Sequence, residues 1–355
     1  MLLALTGPSP FTGQATQMGA ETYLDEIGWT INGRKLEIII EDEAGDAAVA
    51  LAKAKKLVES DKVDVVLGPT FDTSAGSVLP YLKTAKIPNV VFSSRSDQTM
   101  ASGKGNSWVP AGLEKGATYY GGVYAYDKAG FRTITVIHDD YSAGEDYTQG
   151  FINAFEKKGG KMIQRQRSPL GTMDYAPYLS SMQKADAVVF WFVPDEGPRF
   201  VSQYATYGLK MPLFMASTIG GPEPMLKDFG DAALGTLGVA LENTEIDSPA
   251  NKKFVDEFRK KYHQYPGDHE YYQGYIAMQL YAEAVKATQG DTSVAAINSA
   301  MAKLKVNTPA GVISFTPDGV AVGDQYIVKL SKSGDRYYWA PIETYSQVVY
   351  NVPQD

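Results

Sequence analysis

The sequence contains no cysteine, which excludes thiolate nucleophiles, disulfides, zinc ribbons and iron–sulfur clusters. Histidine is nearly as scarce. Its three copies, His138, His263 and His269, fall in neither HExxH nor HxH spacing, so a metallohydrolase is not expected. Nowhere do about 18 apolar residues run together, so no segment is long enough to span a membrane as a helix. Positive charge is in deficit, 33 Lys plus Arg against 41 Asp plus Glu for a formal net charge of -8, which disfavours nucleic acid and anionic membrane surfaces as partners. The Gly-rich nucleotide fingerprints, the GxSxG nucleophile turn and the EF-hand loop are missing as well. No catalytic residue, metal or cofactor is expected.

What remains is a chain of 355 residues, 44% hydrophobic and 21% charged, too long for one compact core and suited to two domains. The apolar start, Met1 to Leu5, lacks the basic flank and cleavage site of a signal peptide and reads as a buried strand. If the protein is exported, its signal peptide has already been removed. Short β-branched runs (Leu2–Thr6, Leu36–Glu41, Val63–Leu67, Asn89–Phe92, Thr133–His138, Ala187–Val193, Leu213–Ala216) alternate with amphipathic helical stretches. Apolar strands alternating with helices imply parallel sheets covered on both faces, so the fold class is α/β. The rhythm restarts at Thr133 after an irregular Gly/Ser stretch, Ser102 to Gly112, which predicts two doubly wound lobes. After Glu242 long helices (Pro249–Tyr262, Tyr271–Thr288, Val294–Leu304) precede closing strands. Helices arriving this late must pack on a lobe already begun, so the chain is expected to cross between lobes more than once and form a hinge.

Candidate ligand contacts sit just past strand ends, where open α/β sheets bind ligands and helix N-termini offer free backbone donors. Gly68-Pro69-Thr70-Phe71-Asp72-Thr73-Ser74 is one such turn, either an anion seat or an ordinary turn with Asp72 as the N-cap. The next loop, Phe92 to Asp97, presents Ser93, Ser94 and Arg95. A guanidinium suits a planar carboxylate, with which it makes two parallel hydrogen bonds. Arg95 would also neutralise Asp72 if both enter one crevice; the alternative is a surface Arg paired with Asp97. Farther on, Tyr141, Trp191 and Phe192 end or follow strands and could build a stacking wall; such aromatics are as often core. The acidic run Glu41 to Asp46 reads as a strand end with Asp46 capping a helix, in preference to a cation site.

The order and spacing of Thr6-Gly7-Pro8 with Gly13 and Gly19, Glu41 to Asp46, Gly68-Pro69, Ile87-Pro88, Phe92 to Ser96, His138-Asp139-Asp140-Tyr141 and Tyr204 to Lys210 resemble the type I periplasmic solute-binding proteins of ABC importers, in the Leu/Ile/Val-binding family. The resemblance covers essentially the whole chain. It implies two Rossmann-like lobes joined by three crossings, with residues 1–113 plus 244–324 in the first and 114–243 plus 325–355 in the second. It implies further a monomer that serves an importer's membrane permease, in the periplasm or lipid-anchored outside the cell. In family members that bind amino acids, the ligand carboxylate is held at positions matching Asp72, Thr73 and Arg95, with a backbone contact near Ser93 and aromatic side chains from both lobes. The usual acid for the ligand ammonium has its place nearest Thr218. A buried ammonium without a counter-ion is costly, so a zwitterion is disfavoured unless Asp72, Glu196 or Glu270 substitutes. The expected ligand is therefore a small carboxylate with an aromatic or other hydrophobic body, held by Arg95 and the hydroxyls at one end and by Phe11, Tyr141, Trp191 and Phe192 around the other. Alternatives are a branched-chain or other amino acid, or an amide, in the same importer class. A receptor-type sensor is a further alternative, and an enzyme is disfavoured by the missing fingerprints.

Overall fold

The computed structural model describes residues 1–267 and 269–352. The first half winds β1 (Leu2–Leu3), α1 (Pro10–Glu26), the hairpin β2 (Thr30–Ile31) and β3 (Arg34–Lys35), β4 (Glu41–Asp42), α2 (Ala47–Lys55), β5 (Val66–Leu67), α3 (Asp72–Ala85), β6 (Asn89–Val90), α4 (Asp97–Gly103) and β7 (Ser107–Trp108). Then follow α5 (Glu114–Asp127), β8 (Thr133–Asp139), α6 (Ser142–Lys157), β9 (Lys161–Ser168), α7 (Ala176–Ser180), β10 (Ala187–Trp191), α8 (Gly197–Thr206), β11 (Leu213–Met215), α9 (Leu226–Phe229) and β12 (Leu237–Ala240). The chain closes with α10 (Pro249–Tyr262), α11 (His269–Ala287), α12 (Val294–Met301), β13 (Lys305–Thr308), β14 (Gly311–Phe315), β15 (Ala321–Ser333) and β16 (Arg336–Val349).

The α/β class expected from the alternation is the one observed. In the first half β1 pairs β4, and β5, β6 and β7 pair in order, all parallel. The second half builds a nine-stranded sheet in which β9, β8, β10, β11 and β12 are parallel and β13 to β16 add antiparallel strands at the β12 edge. Every residue of β10 is buried, as a strand covered on both faces requires. β15 runs unbroken across positions 324 and 325, where the lobe boundary is expected, and carries β13 and β14 as neighbours of the second sheet. Residues 353–355, in the span expected for the second lobe, lie outside the described residues.

Helix starts follow local chemistry. Asp46 caps α2 by accepting from the amides of Ala48 and Val49 at 2.8 and 2.9 Å, as its place after the strand suggests. Pro249 occupies the first turn of α10 behind the capping Ser248, where its missing N–H costs nothing. The strands of the first half are shorter than their apolar runs. Of Leu36–Glu41, expected as strand, only Glu41 falls in β4, whose register with β1 is Leu2 to Glu41 and Leu3 to Asp42.

One contact decides where the late helix α11 lies. A Cβ on Gly274 would stand 1.9 Å from the Thr16 carbonyl oxygen, and one on Gly19 would stand 1.8 Å from that of Tyr271. The two helices therefore meet backbone to backbone. That approach carries the first turns of α11 back to the N-terminal end of α1 and beside the loops after β5 and β6.

Candidate ligand-binding site

These loops and helix ends border a cleft of about 650 Å³ free of protein atoms, the open solvent at its mouth included. Ser9, Thr12 and Thr16 of the α1 region border it together with the loops after β5 and β6, the start of α5, the loop after β8, α6, the end of β10 and the first turns of α11. Both sheets contribute, so the cavity lies where the two halves face each other.

The loop after β5 is set from below by Glu43. Its buried carboxylate accepts from the amides of Thr70 and Phe71 at 2.7 and 3.2 Å. The carbonyls of Pro69 and Thr70 are thereby directed at Arg95, whose Nη2 donates to both, with Thr70 at 3.1 Å, while Nη1 donates to Ser94 O at 2.7 Å. Arg95 is 1% exposed. Its Nε has no hydrogen-bond partner, and no carboxylate forms an ion pair with it among the described residues. The surface alternative fails because Asp97 pairs with Lys115 at 3.1 Å.

The expected pairing of Arg95 with Asp72 is not formed either. Phe71, and not Asp72, occupies the N-cap position of α3. Asp72 accepts from Ser96 N, Ser96 Oγ and Thr99 Oγ1 at 3.2, 3.0 and 3.1 Å, so its charge is spent on the start of α4. Among the described residues, the hydrogen bonds that balance the buried Arg95 cation all come from backbone carbonyls. A buried charge of this kind gains most from an anion of opposite sign.

Ser93 and Ser94 lie beside it. Ser94 Oγ donates to Ala111 O at 2.8 Å. Ser93 occupies the left-handed region at φ 61°, which turns the chain sharply after β6, and its Oγ lies 3.0 Å from Nε2 of His269. Nδ1 of that imidazole lies 3.1 Å from Glu242 Oε2, and Gln273 Nε2 donates to the other oxygen of Glu242. Burial alone would lower the His269 pKa, but the charge and hydrogen bond of Glu242, with Glu270, outweigh it and hold the pKa above the ordinary imidazole value. A hydroxyl, an imidazole and a carboxylate in this order can relay a proton toward the cavity.

The opposite wall is aromatic. Trp191 stacks on Tyr147 with centroids 5.3 Å apart and planes 22° apart, and its indole Nε1 is buried without a partner. Tyr141, Val193, Pro194 and Ile219 complete that side. Glu114 and Glu270, both buried, each direct an unpartnered Oε2 near the cavity. Burial, reinforced by neighbouring carboxylates, raises the pKa of each, far above the usual carboxylate value for Glu114.

Of the residues singled out in the sequence, Asp72, Ser93, Ser94, Arg95, Tyr141 and Trp191 border one cavity. Four others do not. Phe192, next to Trp191, faces the other side of the sheet, with Tyr175 and Phe200 at 5.2 and 4.9 Å between centroids, because successive strand residues alternate. Thr218 opens a 3-10 turn and packs toward Gly238 of β12, leaving Ile219 at the cavity. Phe11 sits edge-on to Tyr271 at 5.9 Å, while its neighbours Ser9 and Thr12 reach the wall. Thr73 is exposed on α3. Of the substitute acids, Glu196 is spent on Gly171 N and the Tyr175 hydroxyl, at 2.6 and 2.9 Å, whereas Glu270 does reach the cavity. His269, Gln273, Tyr147 and Glu114 carry no sequence motif. The close packing of α11 on α1, the turn into α5 and the first turns of α6 bring them in.

Two lobes of α/β architecture facing each other across a cavity with a buried cation on one wall and an aromatic stack on the other define a binding protein of the periplasmic type. The chain belongs to the periplasmic binding protein family, whose sequence profile matches residues 1–335. It is similar to the Leu/Ile/Val-binding protein homolog 6 of Brucella abortus (strain 2308), 28% identical over 354 residues, covering 96% of this chain and 90% of that protein. Among solved structures it resembles an ABC transporter solute-binding protein of Rhodopseudomonas palustris BisB5 in complex with 3,4-dihydroxy benzoic acid. That likeness has a TM-score of 0.92 at 26% identity and covers 99% of this chain and 97% of the other. An ABC transporter substrate-binding protein from Sphaerobacter thermophilus gives 0.91 at 28% identity, covering 98% and 97%.

Proposed function

We propose that this protein captures a small carboxylate with an aromatic or other hydrophobic body and delivers it, unchanged, to the membrane permease of an ABC importer. One observation carries the reading: Arg95, buried at the cavity wall, has no carboxylate partner among the described residues, and the facing wall, from β10 and α6, is the Trp191–Tyr147 stack. The carboxylate replaces the missing counter-ion, and the stack covers the apolar body. The bound dihydroxybenzoic acid of the Rhodopseudomonas relative supports this class. Ser93, Ser94 and the edge of Asp72 frame the carboxylate end; Tyr141 and Trp191 frame the other.

The lobes in this reading are residues 1–113 plus 244–304 and residues 114–243 plus 305–352; the cut expected between 324 and 325 is moved because β13, β14 and the unbroken β15 join the sheet of the second half. A ligand that touches both only when they close drives closure by its differential affinity. The protein acts outside the cytoplasmic membrane, as a monomer, and performs no catalysis. Recovery of unaltered ligand after prolonged incubation, followed by mass spectrometry, checks the last point. The reading as a whole is tested by thermal-shift screening with benzoate-type acids, aliphatic acids and common amino acids. Stabilisation by benzoate-type acids supports it; stabilisation by leucine or valine alone overturns it.

A second reading, an amino acid as ligand, rests on Glu270, whose unpartnered Oε2 at the cavity could meet an ammonium, and on the similarity to Leu/Ile/Val-binding relatives. Stabilisation by amino acids that is lost in Glu270→Gln supports it.

A further inference from the structure

The contact between His269 and Ser93 sets the polarity of the cavity wall. Glu242 accepts at Nδ1 of His269, 3.1 Å away, and is held in place by Gln273. With Glu242 accepting on that side, the imidazole proton of the neutral form resides on Nδ1. Nε2 is then a bare acceptor, and the Ser93 hydroxyl 3.0 Å away donates to it. In that state Ser93 offers the cavity only lone pairs. When Nε2 gains a proton, the bond reverses: Nε2–H donates to Ser93 Oγ, and the hydroxyl proton is released to point into the cavity. The Ser93 backbone lies in the left-handed region at φ 61°, and the hydroxyl of Tyr147 on α6, a neighbour of both Ser94 and Ser93, is close by.

We propose that Ser93 is a specificity-determining residue whose hydrogen-bond polarity is set by His269, so that a ligand carboxylate is bound together with a proton taken up by His269. This rests on the carboxylate reading above. A single proton moves from solvent to Nε2 and no covalent bond changes. Among the described residues, the charged groups facing His269 are Glu242 after β12, Glu270 on its own helix and Arg95 in the loop after β6. Glu114 of α5, Asp72 of α3 and Tyr147 of α6 face the same cavity. A carboxylate arriving near Ser93 adds one more negative charge to this set, which favours the imidazolium further. Ligands that bring a hydroxyl or amide donor to Ser93 favour the opposite state.

Two measurements test this on the intact chain. The first is free of ligand: nitrogen-15 NMR of the His269 ring through its titration. The proposal requires the neutral form to carry its proton on Nδ1, and Ser93→Ala to shift the titration midpoint. A neutral form protonated on Nε2 overturns it whatever the protein binds. The second is calorimetric titration of benzoate between roughly pH 6 and pH 9 in buffers of differing ionisation enthalpy. In the wild type, the affinity is expected to fall about tenfold as His269 loses its proton, the worth of one hydrogen bond to a charged group, with proton uptake on binding at the upper end. His269→Gln is expected to abolish both the slope and the uptake, and Ser93→Ala to bind with at least half of the uptake lost. Benzoate binding with a flat pH profile and no proton uptake in the wild type overturns the proposal and leaves the carboxylate reading standing. Failure of benzoate and every other acid to bind overturns the carboxylate reading, and the NMR measurement still decides the tautomer.

Discussion

Arg95 and Asp72 border the same cavity but do not pair. Asp72 gives its oxygens to Ser96 and Thr99 at the start of α4, while Arg95 donates to the carbonyls of Pro69, Thr70 and Ser94. The guanidinium is thus positioned by dipoles and left with charge to spare. Arg95→Ala is expected to weaken a benzoate-type ligand by more than tenfold, as removal of a partner from a charged hydrogen bond costs roughly 1.5 to 3 kcal/mol. Calorimetric titration, with the melting temperature recorded to separate folding from binding, checks this. An unchanged dissociation constant removes Arg95 from the site.

Trp191 lies flat against Tyr147, and both border the cavity. Trp191→Ala should reduce affinity for aromatic acids several-fold more than for small aliphatic acids, since an aromatic pair adds about 0.5 to 1.5 kcal/mol beyond the area it buries. Equal losses for both ligand classes would show that Trp191 supplies only bulk.

The contact of α11 with α1 is a test of what positions His269. Gly274→Ala places a Cβ 1.9 Å from the Thr16 carbonyl and is expected to destabilise the fold by about 1 to 3 kcal/mol and to weaken ligand binding with it. Gly76→Ala, where a Cβ meets nothing within 4 Å on helix α3, should leave stability unchanged or raise it by up to about 1 kcal/mol. Chemical denaturation of the two variants compares them directly.

How much of this was readable in advance depended on whether the signal was local. The bounds of α10 are those its apolar spacing and Pro249 predict, because cap, periodicity and helix end all lie within one stretch of chain. β9, Lys-Met-Ile-Gln-Arg-Gln-Arg-Ser, escapes a search for apolar runs because it is an edge strand, paired only with β8 and largely half-buried. Trp191 and Phe192 look equivalent in sequence, yet strand alternation sends one to the cavity and the other to the core. His269 and Glu242 meet across 27 positions, through helix packing that no short pattern encodes.

Asp139 offers a prediction on pH. Burial, with the neighbouring Glu196, pushes its pKa up to about 8, while its Oδ2 accepts from the amide of Val193 at 2.8 Å and so holds the cavity wall. A carboxyl whose pKa is raised by folding binds its proton more tightly in the native state, so stability is full at acid pH and is lost as pH rises toward that value. Asp139→Asn keeps an acceptor for Val193 and removes the titration. Its melting temperature relative to the wild type should increase between about pH 5 and about pH 8.5. A difference that stays constant with pH contradicts the assignment.

Lobe closure has its own signature. Small-angle scattering at saturating ligand should show a smaller radius of gyration than the free protein, as the open form is depleted. An unchanged radius at saturation refutes hinge closure.

The central claim is that a buried, unpaired Arg95 selects a carboxylate. Its most direct test is calorimetric titration of benzoate against benzamide, which keeps the ring and the shape and removes the charge. The account predicts that benzoate binds at least tenfold more tightly than benzamide, the scale of one hydrogen bond to a charged group. Equal affinities, or tighter binding of the amide, would contradict it.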